Sequence, residues 1–266
     1  MTEYLTSADG TKIAYERTGS GPALVLVDGA MCYRASGPAR PLAKELAGDF
    51  TVLTYDRRGR GESGPGSEIS AERELEDLDA LVKEAGGTPF LYGISSGAVL
   101  AADAAARGIG VPKLALYEPP LIVDSKDREP LPADLLEQVT AMVEAGRNAA
   151  AVSYFMRAVE VPGFAIALMR LMPAWPKLKA VAPTLRYDFT VMRGLQQGNP
   201  LPTTRWSTVT MPTLVVDGGK SAAWMRTGVR AMADVLPNAT YRTLDGQNHM
   251  VKPQALAPVL REFYTA

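Results

Sequence analysis

The sequence predicts one large α/β domain built on an eight-stranded, mostly parallel sheet with helices on both faces. A hairpin opens the chain, because the extended segments Glu3–Thr6 and Lys12–Arg17 are joined through Asp9-Gly10, which tolerates a tight turn. Runs that are apolar on both faces are typical of parallel strands covered by helices. Six such runs follow, with helical patterns between most of them: Ala23–Val27, Thr51–Tyr55, Phe90–Tyr92, Leu114–Tyr117, Thr213–Val216 and Thr240–Leu244. A chain of 266 residues, 47% of them hydrophobic, can bury a core of this size.

Two helical patterns connect these strands. The first begins at Ser70, a residue type that caps helices, and runs to Ala85, with Gly86 as its stop signal. The second, Ser96–Arg107, is rich in alanine and ends at Gly108, which suits a helix packed closely against a sheet. We therefore expect strand, turn and helix to follow one another directly at the start of this second helix.

The alternation of strands and helices stops between residues 122 and 205. This stretch has no convincing strand, is rich in proline and contains helix-like segments at Leu135–Ala145 and Ala149–Val159. We interpret it as a helical cap inserted into a core of residues 1–121 and 206–266. Most of its bulky apolar side chains should form a small core of the insertion, and a few should face the functional site. They are Met142, Tyr154, Phe155, Met156, Phe164, Met169, Met172, Trp175, Tyr187, Phe189 and Met192.

Composition argues against several classes of function. The 28 Lys and Arg residues and the 29 Asp and Glu residues are interleaved, so neither a nucleic acid nor a membrane is an expected partner. The single cysteine, Cys32, permits no intrachain disulfide, and with the single histidine it cannot form a zinc or iron site. A secretion signal, a membrane-length apolar run and nucleotide-binding loops are not found. We expect a soluble, cytoplasmic protein that needs no cofactor or metal, and the sequence leaves its oligomeric state open.

The segment Gly93-Ile94-Ser95-Ser96-Gly97 matches the pattern G-x-S-x-G between a predicted strand and a predicted helix, the context that this motif requires. Its two glycines permit a tight turn that would hold Ser95 in a strained backbone geometry. The serine hydroxyl would then project above the sheet, at the positive end of the following helix. Ser95 is therefore a candidate nucleophile.

Two further segments belong to the same pattern. Residues 56–63 read D-R-R-G-R-G-E-S, similar to a D-x-x-G-x-G-x-S segment, and residues 245–249 read D-G-Q-N-H, similar to a G-x-x-H loop. Together with the serine motif, they resemble the α/β-hydrolase family over nearly the whole chain. The resemblance implies that family's sheet and cap, with a nucleophile, an acid and a histidine in that order along the chain.

The resemblance identifies Ser95 as the nucleophile and His249, the chain's only histidine, as the catalytic base. A serine hydroxyl is a poor nucleophile until a base accepts its proton, and an imidazole with a pKa near ~6.5 suits that task. The resemblance also implies an oxyanion hole made by the backbone N–H groups of Ser96 and Ala30.

The loop after Val27 departs from the family pattern. Its usual dipeptide is His-Gly, whereas this chain has Asp28-Gly29. The substitution places a carboxylate close to where negative charge must develop. Backbone amides supply the donors, so the oxyanion hole itself is still expected.

The acid of the triad has two candidates. The family's commonest layout places it in G-x-x-D after the penultimate strand, but residues 218–221 read G-G-K-S, which puts Ser221 there. Asp217 ends the run Thr213–Val216, and Glu118 follows the run Leu114–Tyr117. Some relatives, such as one branch of haloalkane dehalogenases, carry the acid after the earlier strand, and residues 117–120, Y-E-P-P, are similar to that arrangement. We favour Glu118.

These residues indicate a serine hydrolase that transfers an acyl group to water. Its expected substrate is a carboxylic ester, lactone or thioester of a small to medium apolar molecule. One alternative is a hydrolase-fold protein with a non-hydrolytic role, as a lyase, cyclase or small-molecule receptor. Another is a cofactor-free haloperoxidase or perhydrolase. Dehalogenase and epoxide hydrolase activities are disfavoured, because those relatives have an aspartate where this chain has Ser95.

Overall fold

A computed structural model describes residues 1–66 and 68–266 and contains one eight-stranded sheet in the order β1-β2-β4-β3-β5-β6-β7-β8. The β1–β2 and β2–β4 pairs are antiparallel and all other pairs are parallel, which confirms the predicted sheet. The strands are β1 Glu3–Thr6, β2 Lys12–Thr18, β3 Ala23–Val27, β4 Thr51–Tyr55, β5 Phe90–Ile94, β6 Leu114–Tyr117, β7 Thr213–Gly218 and β8 Ala239–Leu244.

Helices cover both faces of this sheet. The described helices are α1 Ala39–Leu46, α2 Ala71–Glu84, α3 Ser96–Ala106, α4 Leu135–Glu144, α5 Asn148–Ala158, α6 Gly163–Met169, α7 Trp175–Val181, α8 Leu185–Val191, α9 Ala223–Val235 and α10 Pro253–Thr265, with a 3-10 helix at Ala182–Thr184. Within the described residues, none of these helices is both long enough and apolar enough to cross a membrane.

Each parallel strand sends alternate side chains into two separate cores. Val25 and Val27 of β3 pack with residues of α2, α3 and α9, whereas Leu24 and Leu26 pack with residues of α1 and α10. This alternation follows from the period of two in an extended chain. Both sets are fully or almost fully buried, so the apolar character of the runs on both faces reflects two helical layers.

The predicted helix from Ser70 to Ala85 is present with small shifts at its ends. Helix α2 spans Ala71–Glu84, and Ser70 Oγ accepts a hydrogen bond from Arg73 N at 3.3 Å, as expected for a cap. Strand β2 extends one residue beyond its predicted end, to Thr18, and β8 begins one residue earlier than predicted, at Ala239. Strands β5 and β7 extend to Ile94 and Gly218. Both extensions bring the strand up to the residues that form the site.

Between β6 and β7 the chain forms α4 to α8 and the 3-10 helix, and it adds no strand to the sheet. We call this stretch the helical insertion. Its buried side chains form a third apolar cluster, which includes Val139, Val152, Trp175 and Phe189 and contacts the loop after β3 through Met31. The insertion therefore packs over the edge of the sheet where that loop lies.

Candidate active site

Ser95 lies at a sharp turn between β5 and α3. Its φ of 59° and ψ of −131° fall in a region that residues other than glycine rarely adopt. The flanking glycines allow close approach, because a Cβ on Gly93 would lie 2.4 Å from Gly97 O and one on Gly97 would lie 2.4 Å from Val27 O. The backbone at Ser95 thus has the strained geometry that the sequence predicts.

The two predicted oxyanion donors lie on the segments that flank Ser95. Ser96 is the first residue of α3, so its N–H has no acceptor within the helix. On the other side, Gly29 packs so tightly that a Cβ there would lie 2.8 Å from Ser95 Cβ. Ala30 follows, and among the described residues its N–H makes no hydrogen bond. Both N–H groups are therefore free to bind a ligand atom beside the serine.

Glu118 and His249 meet at the carboxyl end of β6. His249 Nδ1 lies 2.9 Å from Glu118 Oε2. The second oxygen, Glu118 Oε1, accepts hydrogen bonds from Gly218 N at 2.7 Å and from Ser221 Oγ at 2.5 Å. The Glu118 side chain is fully buried, whereas 39% of the His249 side chain is exposed. A carboxylate on Nδ1 favours the tautomer in which Nε2 is free to accept a proton.

The loop that carries His249 is fixed by neighbouring strand ends. Tyr117 Oη donates to Asn248 O at 2.7 Å, and Lys220 N donates to Gln247 O at 2.8 Å. A Cβ on Gly218 would lie 2.6 Å from Gln247 O, so only glycine lets the two loops approach this closely. Sequence reasoning missed Tyr117 as a support, because its apolar run marks it only as a strand residue.

Asp217, the other candidate acid, is directed elsewhere. Its Oδ2 accepts hydrogen bonds from Tyr241 Oη at 2.6 Å and from Arg226 Nε at 3.0 Å, and its side chain is fully buried. Within the described residues, no hydrogen bond joins Asp217 to His249. The geometry therefore favours Glu118 over Asp217 as the partner of the imidazole.

Ser95 and His249 are not joined by a hydrogen bond in the described part of the chain. Hydrogen bonds between a nucleophile and its base are often long in ligand-free enzymes and tighten when substrate binds. The structure thus brings together two pairs of predicted site residues, Ser95 with its flanking amides and His249 with Glu118. Among the described residues, no hydrogen bond joins Ser95 of the first pair to His249 of the second.

Comparison with known proteins identifies the family. The sequence pattern of the alpha/beta hydrolase family matches residues 21–259. The chain belongs to this family. An alpha/beta hydrolase from Sphaerobacter thermophilus is 48% identical, with a TM-score of 0.89 over 98% of this chain and 100% of that one. The uncharacterized hydrolase YraK of Bacillus subtilis is 35% identical over 105 residues, so this chain spans only 37% of that relative's length.

More distant structures share the fold alone. An esterase from Exiguobacterium antarcticum is 17% identical, with a TM-score of 0.74 and complete coverage of both chains. At this level of identity the likeness concerns the architecture of the hydrolase and carries no information about its substrate.

Asp28, which replaces the usual histidine of the hydrolase loop, is almost completely buried. A Cβ on Gly37 would lie 2.6 Å from Asp28 Oδ2, so the carboxylate packs against the loop that leads to α1. Burial raises the pKa of Asp28 to about 7, although the nearby Arg60 guanidinium opposes this change. The side chain therefore gains its proton near neutral pH, which limits the negative charge that it places in the loop that carries Ala30.

The helical insertion covers the loop after β3 with apolar groups. Ala30, Met31 and Tyr33 of the loop after β3 pack with the insertion's cluster, which includes Trp175 and Phe189. Other bulky side chains of the insertion point to solvent, since Phe164 is 80% exposed and Met172 is 50% exposed.

Among the described residues, no group of three or more His, Cys, Asp or Glu side chains is arranged to hold a metal ion.

Proposed function

We propose that this hydrolase cleaves a carboxylic ester, lactone or thioester through an acyl-enzyme on Ser95. The observation that carries the proposal is the 2.9 Å contact between His249 Nδ1 and the buried Glu118 carboxylate. A carboxylate in this position orients the imidazole and stabilises its protonated form during proton transfer. Ser95 stands at the carboxyl end of the neighbouring strand β5, in the strained turn that exposes a serine hydroxyl.

In the first half of the reaction, Ser95 Oγ attacks the carbonyl carbon and gives its proton to His249 Nε2. The carbonyl oxygen becomes negatively charged and accepts hydrogen bonds from the N–H groups of Ala30 and Ser96. The bond to the leaving oxygen or sulfur then breaks, and His249 returns the proton to that atom. An alcohol or a thiol departs from an ester or thioester, whereas the hydroxyl freed from a lactone stays on the opened acyl chain, and in each case the acyl group is bound to Ser95.

In the second half, water replaces the leaving group. His249 Nε2 accepts a proton from the water molecule, and the water oxygen attacks the acyl carbon. Collapse of the second oxyanion breaks the bond to Ser95 Oγ, which recovers its proton from His249. The carboxylic acid is released, and the hydrolase needs no cofactor for any of these steps.

The helical insertion acts in this proposal as a cap that selects an apolar acyl group. Its cluster includes Met31, which follows Ala30 in the loop after β3. Each buried methylene group contributes about 0.8 kcal/mol, so a longer acyl chain should bind better than an acetyl group. We expect p-nitrophenyl hexanoate to be hydrolysed with a higher kcat/KM than p-nitrophenyl acetate.

The test compares wild type with Ser95→Ala in ester hydrolysis and in labelling by a fluorophosphonate probe. The variant should lose labelling and at least ~10³-fold in kcat, because the nucleophile and the base act as one unit. Ser207→Ala is the matched control, since Ser207 is an exposed serine whose Oγ contacts only Thr204 O in the described structure. It should behave like wild type in both assays.

Three outcomes would count against the proposal. Equal labelling of wild type and Ser95→Ala would remove Ser95 from the chemistry. Labelling of Ser95 without turnover of any ester, lactone or thioester would favour a lyase, a cyclase or a small-molecule receptor built on the hydrolase fold. Formation of a peracid from acetate and hydrogen peroxide would identify the perhydrolase alternative.

A further inference from the structure

Arg60 is a buried arginine that holds the loop carrying Ala30. Its side chain is fully buried, and its Nη1 donates to Gly29 O at 2.6 Å and to Cys32 O at 3.1 Å. The guanidinium binds its acceptors through Nη1 and Nη2, whereas its buried Nε has no hydrogen-bond partner among the described residues. Two of these acceptors are backbone carbonyls of the short segment on either side of Ala30.

The contact with Gly29 O fixes the direction of the Ala30 N–H. Gly29 O and Ala30 N belong to the same peptide group, and no peptide bond among the described residues is cis. In a trans peptide the C=O and the N–H point in opposite directions. When Arg60 binds the carbonyl on one side, the N–H is turned to the other side.

Asp188 of α8, in the helical insertion, completes this arrangement. Its Oδ2 accepts from Arg60 Nη2 at 2.7 Å, while its Oδ1 accepts from Ser96 Oγ at 2.8 Å and from Arg57 Nη1 at 2.8 Å. Arg57 Nη1 also donates to Asp28 O at 3.1 Å. One buried carboxylate thereby fixes groups on both segments that supply the two proposed oxyanion donors.

We propose that Arg60, anchored by Asp188, is a positioning residue that turns the Gly29–Ala30 peptide so that the Ala30 N–H faces the reacting oxygen. This inference rests on the proposed function, because an oxyanion must form at Ser95 for the donor to matter. Arg60 touches no reacting atom. It acts through the peptide group that it holds, and the hydrolase therefore loses catalytic power, rather than substrate affinity, when Arg60 is changed.

Arg58 provides a matched control. It is also fully buried, and it makes two short hydrogen bonds to Asp77, Nε to Oδ2 at 2.7 Å and Nη2 to Oδ1 at 2.6 Å. A third bond links it to Asp9 at 3.0 Å. It makes no contact with Gly29 or Ala30 among its hydrogen bonds in the described structure. A lysine at either position keeps the charge but loses the fork of donors.

The experiment measures kcat, KM and the rate of fluorophosphonate labelling for Arg60→Lys and Arg58→Lys, together with their melting temperatures. Removal of one oxyanion donor reduces kcat by 10²–10³ in other enzymes. A misdirected donor should reduce kcat and the labelling rate roughly tenfold to a hundredfold in Arg60→Lys, with KM changed less than about threefold. Arg58→Lys should lose comparable stability and keep its kcat.

A second pair of variants tests the same Arg60–Asp188 contact by changing the carboxylate instead of the arginine. Asp188→Asn removes the charge that faces Arg60 and Arg57, and Asp77→Asn removes the charge that faces Arg58. These two variants test the inference if the lysine variants do not fold. We expect a lower kcat only in Asp188→Asn. Equal kcat values within both pairs, in a wild type that is labelled and active, would overturn this inference and leave the proposed function intact. A wild type without labelling at Ser95 would overturn both.

Discussion

Strands β6 and β7 lie side by side, and a fully buried carboxylate stands at the end of each. The two carboxylates, however, contact different residues. Tyr117 pairs with Val216, so Glu118 and Asp217 occupy equivalent positions one residue further along. Glu118 contacts His249, whereas Asp217 contacts Arg226 and Tyr241. Burial and position in the strand therefore do not decide which carboxylate belongs to the site.

The difference arises from the backbone at the strand ends. Asp217 continues the extended strand β7 and pairs with Thr243 of β8, so it projects to the same face as Val215, toward α9. Glu118 has a φ of 43°, which ends β6 and turns the chain. The turn directs its carboxylate to the loop after β8. The backbone conformation at the strand end thus differs between the structural carboxylate and the candidate catalytic one.

The largest expected effect comes from exchanging each carboxylate for its amide. Glu118→Gln should lower kcat/KM by roughly 10³-fold or more, because the neutral side chain no longer stabilises the charged imidazole or selects its tautomer. Asp217→Asn should stay within about threefold of wild type. Steady-state hydrolysis of one p-nitrophenyl ester by the three purified proteins measures both values.

The stability of the same two variants supplies the control for this comparison. Asp217→Asn should lose roughly 1–3 kcal/mol in the free energy of unfolding, since Arg226 and Tyr241 lose a charged acceptor. Urea denaturation provides that number. If Asp217→Asn were the less active variant while remaining folded, the role of the acid would pass to Asp217.

A smaller effect should follow from Ser221→Ala. Ser221 Oγ is one of two donors to Glu118 Oε1, and the Gly218 N–H remains when the hydroxyl is removed. A hydrogen bond to a charged group contributes about 1.5–3 kcal/mol, so loss of one of the two should reduce kcat/KM by roughly 10-fold to 150-fold. Ser221→Thr keeps a hydroxyl and should retain more activity than the alanine variant. Equal activities of wild type and Ser221→Ala would show that this donor does not support the acid.

The smallest effect concerns a third buried carboxylate, Asp28 at the end of β3. Burial raises its pKa from the ordinary value of 3.8 to about 7, so the folded protein holds a proton that the unfolded chain has released. Its contribution to stability is present at low pH and is lost as the pH rises through about 7. Wild type should lose about 1.4 kcal/mol more than Asp28→Asn between about pH 6 and 8 in urea denaturation. Parallel pH profiles of the two proteins would contradict this explanation.

Much of the fold could be predicted from local patterns. The six apolar runs gave the parallel strands, and the hairpin signal around Asp9 gave the antiparallel pair. The ends of β5 and β7 extended beyond the predicted runs, because Gly93 and Gly218 continue a strand without an apolar side chain. The G-x-S-x-G segment predicted the strain at Ser95, since only its glycines permit that turn.

The sequence by itself determined the sheet and the turn at Ser95, because short-range periodicity and glycine spacing specify them, and the resemblance to the family indicated the loop of His249. Only the tertiary structure decided which acid faces the imidazole, that Ser221 donates to that acid, and that Arg60 holds the loop that carries Ala30. Those contacts join residues far apart in the chain, such as Arg60 and Asp188, which are 128 positions apart. They depend on the direction of a side chain at a strand end and on the helix that packs above it, which no local pattern encodes.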